Sequence, residues 1–251
     1  MKLRFALCTT AFGVALAAAC SPAPETDGAS APAAGGAAAK RMPLPDCAEV
    51  KTEDAGADGW KHPDCRVMLT DTSKLALEAR YTKAEDETTK IALAVVQTGD
   101  ATVQTIEETM GNTFARVELQ DVDKDGKDDI LVPLETGMVN ITWALWRQSA
   151  DNKFVRVGEV TGVDLKNTDS GYLAVPARSS ANEWDVAFFK MDGDAMNPIV
   201  TTTVTARGTP DKITGQDCEL ADDGGLAWTG LAQDAAEAKF CAEPVVADIF
   251  K

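Results

Sequence analysis

The feature that most constrains the fold is an acidic run at residues 121–129. It reads Asp-Val-Asp-Lys-Asp-Gly-Lys-Asp-Asp, with carboxylates at its first, third, fifth and ninth positions and glycine at its sixth. Calcium takes about six to eight oxygen ligands, at about 2.3–2.6 Å. Alternate side chains of a tight loop point inward, and glycine permits the sharp bend. The spacing therefore predicts a calcium-binding loop.

The predicted side-chain ligands are Asp121, Asp123, Asp125 and Asp129, and the predicted fifth ligand is the backbone carbonyl of Lys127. Without a cation these carboxylates would repel one another, so we expect a metal-free loop to be strained or mobile. The alternative interpretation is a solvated acidic turn that binds no metal.

The segments on both sides of the loop have the pattern of strands. Ala115, Val117 and Leu119 alternate with polar residues before it, and residues 130–134 form a short apolar run after it. A helical EF-hand would also need glutamate at the twelfth loop position, where Val132 stands. The prediction is a strand, a calcium loop and a second strand.

The loop resembles those of the FG-GAP and VCBS repeats, which carry the motif D-x-D-x-D-G-x-x-D-I/L between the strands of propellers. Those proteins contain several copies, whereas this chain has one, at residues 121–130. A propeller is therefore not expected.

A longer stretch resembles small periplasmic β proteins with one calcium loop, similar to the periplasmic inhibitors of invertebrate-type lysozyme. The resemblance covers residues 78–205 and rests on the loop, the strand at 140–143 and the turn at 151–154. Related inhibitors carry a Ser-Gly-x-x-Tyr loop that enters the lysozyme cleft, and this chain has the shorter Ser170-Gly171-Tyr172. The resemblance implies recognition of a protein at the cell envelope, with lysozyme or another wall hydrolase as the target.

The N-terminal segment predicts export and lipid attachment. A charged start precedes apolar residues 5–19, which are too few to cross a bilayer comfortably. Residues 16–20, Leu-Ala-Ala-Ala-Cys, resemble a bacterial lipoprotein processing site, so 1–19 would be the signal peptide and Cys20 the lipidated residue, carrying palmitate. Serine rather than aspartate follows at position 21, and the resemblance to sorted lipoproteins then implies the outer membrane of a Gram-negative bacterium, periplasmic side. Ordinary cleavage that leaves Cys20 as a free thiol is the alternative.

The rest of the chain divides into a tether and one domain. Residues 20–41 are rich in alanine, proline and glycine, which predicts a flexible linker. Residues 42–251 are numerous enough for a single domain with its own core.

Four cysteines lie in this domain, and in an exported chain an even number implies disulfides. They are Cys47, Cys65, Cys218 and Cys241. Several pairings are open, and closeness in sequence favours Cys47–Cys65 and Cys218–Cys241. A zinc site is not favoured, because the domain has no C-x-x-C motif and His62 is the only histidine.

Short apolar segments and turn signals alternate from Leu75 onward. The last predicted strand is 198–205, and Thr229 is the predicted cap of a short helix that runs to Lys239. The predicted fold class is mainly β, an antiparallel β-sandwich or barrel with one calcium loop and a short C-terminal helix.

Charge and composition limit the function. The formal net charge of −16 disfavours nucleic acid and suits a cationic protein partner, although solubility alone also explains acidity. His62, predicted to be an exposed loop side chain, has no visible nucleophile or acid partner, so we do not expect an enzyme. Trp143 and Trp146 are predicted to face opposite sides of one strand. Two other functions stay open, a structural or assembly lipoprotein with purely structural calcium and a hydrolase of wall glycans.

Overall fold

The protein is described from a computed structural model, which covers residues 44–84, 88–97, 99, 101–209 and 211–251, without the side chain of residue 58. These residues belong to one compact unit, Pro43–Lys251. The predicted signal peptide, Cys20 and the linker lie outside the described residues. Within the described ranges, no helix has the length and apolar character needed to cross a membrane.

The described part of the chain is mainly β. In chain order its strands are β1 (Glu53–Asp54), β2 (Trp60–Lys61), β3 (Cys65–Met68), β4 (Ala76–Lys83), β5 (Thr89–Gln97), β6 (Ala101–Met110), β7 (Glu118–Gln120), β8 (Asp129–Thr136), β9 (Ile141–Gln148), β10 (Phe154–Gly162), β11 (Lys166–Asn167), β12 (Leu173–Arg178), β13 (Glu183–Asp192), β14 (Ala195–Thr209) and β15 (Lys212–Asp222). The helices are α1 (Gln233–Cys241) and α2 (Pro244–Ala247), with 3-10 turns at Gly56–Asp58 and Leu226–Thr229.

Three antiparallel sheets account for most of these strands. The first sheet is β3–β6, the central sheet is β7–β10 and the third sheet is β11–β15, while β1 and β2 form a separate pair. In each sheet every strand is paired with the next strand along the chain, and none of the described sheets closes into a barrel. The predicted antiparallel, sandwich-like β fold with a short C-terminal helix is confirmed.

The central sheet is buried on both faces. Ile130 and Val132 join the hydrophobic core that contains Leu77 of the first sheet. Leu131, between them, joins the core that contains Leu173 of the third sheet. Successive strand residues point to opposite faces, so the apolar run in β8 supplies two cores at once.

The outer face of the third sheet is covered by the C-terminal helices. Phe188 of β13 and Phe240 of α1 are both fully buried, with ring centroids 4.8 Å apart. The Cys218–Cys241 disulfide joins β15 to α1, and the Cys47–Cys65 disulfide ties the start of the domain to β3. These are the pairings that closeness in sequence favours.

Near the C-terminus, one prediction is wrong in detail and one strand was missed. The segment ending at Thr229 is a 3-10 turn, in which the Thr229 hydroxyl donates to the Leu226 carbonyl. Gly230 then takes a left-handed conformation, so α1 begins only at Gln233. Strand β15 was not predicted, because this edge strand is mostly polar and lacks a clear alternation.

The prediction that His62 is exposed is also wrong, since the side chain is 8% exposed. Its ring stacks on Tyr81 at 4.9 Å, and its Nε2–H donates to the Thr113 carbonyl at 2.9 Å. These partners lie far along the chain, beyond the reach of a local pattern.

Trp143 is buried between the central and third sheets, whereas Trp146 packs on the other side and donates to Glu108.

Candidate metal centre

The acidic loop connects two paired strands, as the sequence predicts. It joins β7 to β8, and Gln120 and Asp129 are paired directly beneath it. Lys124 and Gly126 have φ angles of 60° and 84°. Glycine adopts that left-handed region at no steric cost, so Gly126 permits the bend.

Three of the predicted ligands converge. Asp121, Asp123 and Asp129 each offer a carboxylate oxygen, and these oxygens lie within 4.8 Å of one another. Two oxygens bound to the same calcium ion at about 2.3–2.6 Å can be at most about 5 Å apart. The separation therefore fits one calcium ion between the three carboxylates.

Backbone amides hold these carboxylates at the mouth of the loop. The two oxygens of Asp121 accept the N–H groups of Asp125 at 3.1 Å and Gly126 at 2.9 Å. Asp123 also accepts the Asp125 N–H, at 3.1 Å. The chain thus wraps around its own acidic side chains.

Asp129 is the buried member of the group, at 1% exposure. Its two oxygens accept the N–H groups of Val122 at 2.9 Å and Gln148 at 2.8 Å. Burial, with a smaller contribution from Asp123 and Asp125, raises the pKa of Asp129 to about 7. A bound cation would favour the charged carboxylate that burial disfavours.

The Asp125 carboxylate, a further predicted ligand, stands apart from this group. Asp125 lies outside the converging set, and its Oδ2 is 3.2 Å from Nη2 of Arg147. The side chain of Lys127 leaves the loop and donates to the Ser149 carbonyl at 2.8 Å. Ligation by the Asp125 carboxylate and the Lys127 carbonyl stays a prediction.

Arg147 is a member of the site that the sequence reasoning missed. It lies on β9, one residue beyond Trp146, the partner of Ile130 in the hairpin. Its Nε donates to Asp123, and this hydrogen bond raises the pKa of Arg147. The register of the β8–β9 hairpin is the signal that could have placed it beside the loop.

Asp128 was also missed, because its partners belong to the first sheet. Its carboxylate accepts the backbone N–H and the hydroxyl of Thr70, in the turn between β3 and β4, and its own N–H donates to Asp71 at 3.0 Å. The loop is therefore fixed to the first sheet through a side chain that is not one of the three converging carboxylates.

The opposite side of the loop is fixed to the third sheet. Asn167 of β11 donates to the Asp121 carbonyl at 2.6 Å, and Lys124 donates to the Thr168 carbonyl at 3.0 Å. A cavity of about 230 Å³ lies beside this contact, with Arg147 and Lys190 in its wall. The loop thus bridges the layers on either side of the central sheet.

In the Ser170-Gly171-Tyr172 segment, the serine and glycine are exposed and the tyrosine faces the interior. Tyr172 is buried, and its ring lies 5.2 Å from that of Phe240. Ser170 donates to Glu243 at the start of α2. These contacts place the segment against the C-terminal helices.

Comparison with known proteins shows no family for this chain. No family model matches it, and no curated protein matches it. It is similar to a solved structure described as "Structure of a Xanthomonas Type IV Secretion System related protein", with 12% identity and a TM-score of 0.35 over 73% of this chain and 97% of that chain. Similarity at this level carries no argument about function.

Proposed function

We propose that the chain is an exported calcium-binding lipoprotein that acts by binding another protein and not by catalysis. The observation that carries the calcium part is the convergence of the Asp121, Asp123 and Asp129 oxygens in a loop with the spacing of a calcium motif. Calcium would neutralise this group and hold the loop in one conformation.

The calcium part is tested by titrating chelator-treated protein in a calorimeter. We expect a dissociation constant on the order of 10⁻⁴–10⁻³ M, as in extracellular modules. By mass action, about 10 mM calcium should then raise the free energy of unfolding by about 1–3 kcal/mol. Asp121→Asn should lose this calcium-dependent stabilisation. Asp217→Asn, at an exposed position of β15, should keep it. An equal response of both variants would reject the site.

The recognition part rests on charge and on the resemblance to lysozyme inhibitors. A net charge of −16 attracts a cationic protein such as lysozyme. Because Tyr172 is buried, we expect the contact to use a surface other than the 170–172 segment. Hydrolysis of wall substrate by hen-egg and invertebrate-type lysozymes should slow in micromolar excess of this protein. Unchanged hydrolysis by both enzymes would remove the inhibitor part.

The membrane part rests on the sequence at Cys20. We propose that lipid on this residue holds the domain at the periplasmic side of the outer membrane. Labelling cells with a palmitate analogue should mark the wild-type chain and leave Cys20→Ala unlabelled. Equal labelling of the two would contradict lipidation at this position.

A structural or assembly lipoprotein with purely structural calcium is the second candidate. The specific observation in its favour is that the loop contacts the first sheet through Asp128 and the third sheet through Asn167. Calcium would then stabilise the contacts of the loop with the first and third sheets. If calcium is purely structural, chelator should lower the stability of the protein without changing its affinity for an envelope partner recovered by cross-linking. If the loop takes part in recognition, chelator should lower both the stability and that affinity.

A further inference from the structure

Arg147 already provides a positive charge at the acidic loop. Its Nε donates to Oδ2 of Asp123, and its Nη2 lies 3.2 Å from Oδ2 of Asp125. The arginine side chain is 19% exposed, so these contacts are partly shielded from water. A guanidinium that forks between two carboxylates is a well-organised ion pair.

The two acids that Arg147 holds are both predicted calcium ligands. Asp125 is also the one predicted side-chain ligand that stands outside the converging oxygens. A carboxylate that faces the guanidinium has one of its two oxygens engaged, and its negative charge is shared between the arginine and any bound calcium. Arg147 and calcium therefore draw on the same pair of side chains.

A third carboxylate is within reach of the same arginine. Oδ1 of Asp194, in the turn between β13 and β14, lies 3.8 Å from Nη1 of Arg147. The Asp194 side chain is 63% exposed and lies outside the acidic loop. It can keep the guanidinium paired without taking an oxygen from the metal.

We propose that Arg147 is an internal competitor of calcium, which pairs with Asp123 and Asp125 in the metal-free protein and moves to Asp194 when calcium binds. The inference rests on the calcium site proposed above. It replaces the expectation of a strained metal-free loop, because the guanidinium offsets the repulsion between the carboxylates. It also makes calcium binding weaker than the acidic residues alone would give.

The test is a set of calcium titrations on the full chain. Arg147→Gln should bind calcium about three- to five-fold more tightly than wild type, since a partly exposed ion pair of this kind contributes up to about 1 kcal/mol. The matched control is Arg156→Gln, because Arg156 also joins two carboxylates, Glu108 and Glu159, but on β10. It should change the affinity by less than about two-fold.

Removing any positive charge near the site would strengthen calcium binding to some degree, so a double-mutant cycle separates exchange from simple repulsion. Asp194→Asn should weaken calcium binding about two- to three-fold in wild type, because the displaced arginine loses its acceptor. In the Arg147→Gln background the same change should have no effect. Equal effects of Asp194→Asn in both backgrounds would overturn the exchange.

The outcomes distinguish this inference from the proposed function. Calcium binding with equal affinity in wild type and Arg147→Gln would reject the competitor and keep the site, whereas no calcium binding in either would reject the site itself. If Arg147→Gln does not fold, NMR of the wild-type chain decides. The Nε–Hε signal of Arg147 should shift with the same calcium midpoint as the Gly126 amide, while that of Arg156 stays fixed. An unmoved Arg147 signal would overturn the proposal.

Discussion

Asp121 and Asp129 are both predicted calcium ligands, yet they differ in how far water can reach them. Asp129 is buried, and both of its oxygens accept backbone N–H groups that have no access to solvent. Asp121 is half-buried at the mouth of the loop. The two carboxylates should therefore respond differently to replacement by an amide.

Asp129→Asn should lower the free energy of unfolding by about 1–3 kcal/mol even in chelator, because the amide turns an N–H₂ group toward a buried N–H donor. Asp121→Asn should have its main effect only when calcium is present. Urea unfolding of both variants, with and without chelator, checks this. If the unfolding free energy of Asp129→Asn equals that of wild type in chelator, the buried hydrogen bonds of Asp129 do not stabilise the fold.

His62 should make stability depend on pH in the acid range. Burial is the main cause of the lowered pKa of His62, and Arg116 adds to it while the bond to Thr113 opposes it. The unfolded chain then takes up a proton more readily than the folded one, so stability is full above the unfolded pKa of about 6.5 and falls as the pH drops below it. Asp129 acts in the opposite direction, because its raised pKa makes protonation favour the folded state as the pH falls below about 7.

The His62 contribution is therefore measured as a difference. Unfolding free energies of wild type and His62→Gln, measured from neutral pH to about pH 5, should converge toward acid pH, since wild type alone loses the His62 contribution. A constant difference across this range would show that His62 titrates alike in both states.

The spacing of the loop predicted four acids that could meet, of which three converge, but it could not predict their charged neighbours. Asp121, Asp123 and Asp129 converge because the local chain bends around Gly126. Arg147 reaches them through the pairing of β8 with β9, and this register depends on tertiary packing. A solitary arginine in an apolar strand carries no local signal of that role.

Among the elements, the turn between β3 and β4 depends on the acidic loop. Asp128 accepts the N–H and hydroxyl of Thr70, and the Asp128 side chain is buried although Thr70 itself is exposed. Asp128→Ala should destabilise the protein by about 1–3 kcal/mol and speed amide exchange at Thr70. Asp223→Ala, in an exposed loop, is the control and should do neither. Unchanged exchange at Thr70 would show that the turn is held by other contacts.

From Leu75 onward, most strands were predictable because one face alone is buried or both faces are apolar. β8 has a continuous apolar run, which its place between two cores explains. β15 was missed because its positions are mostly polar and it is held by β14 and by the helices. The true start of α1 was missed because Thr229, a plausible cap, serves a 3-10 turn instead.

For the whole molecule, the Cys218–Cys241 disulfide should stabilise the C-terminal layer. It joins residues 23 apart, so the chain-entropy estimate is about 3 kcal/mol. Cys218→Ala with Cys241→Ala should lower the free energy of unfolding by about that amount, equally with and without calcium. Thermal unfolding followed by near-ultraviolet circular dichroism checks this. A loss seen only with calcium would mean that the helices and the loop are coupled.

The order of the strands bears on how the chain reaches its native state. Because each strand is hydrogen-bonded to its sequence neighbour, the ladders can form between segments that are close along the chain, and local pairing favours rapid folding. Packing of the formed sheets against one another is then the late step of folding. Truncating Ile130 or Leu131, whose side chains serve separate sheet interfaces, should accelerate unfolding far more than it retards folding.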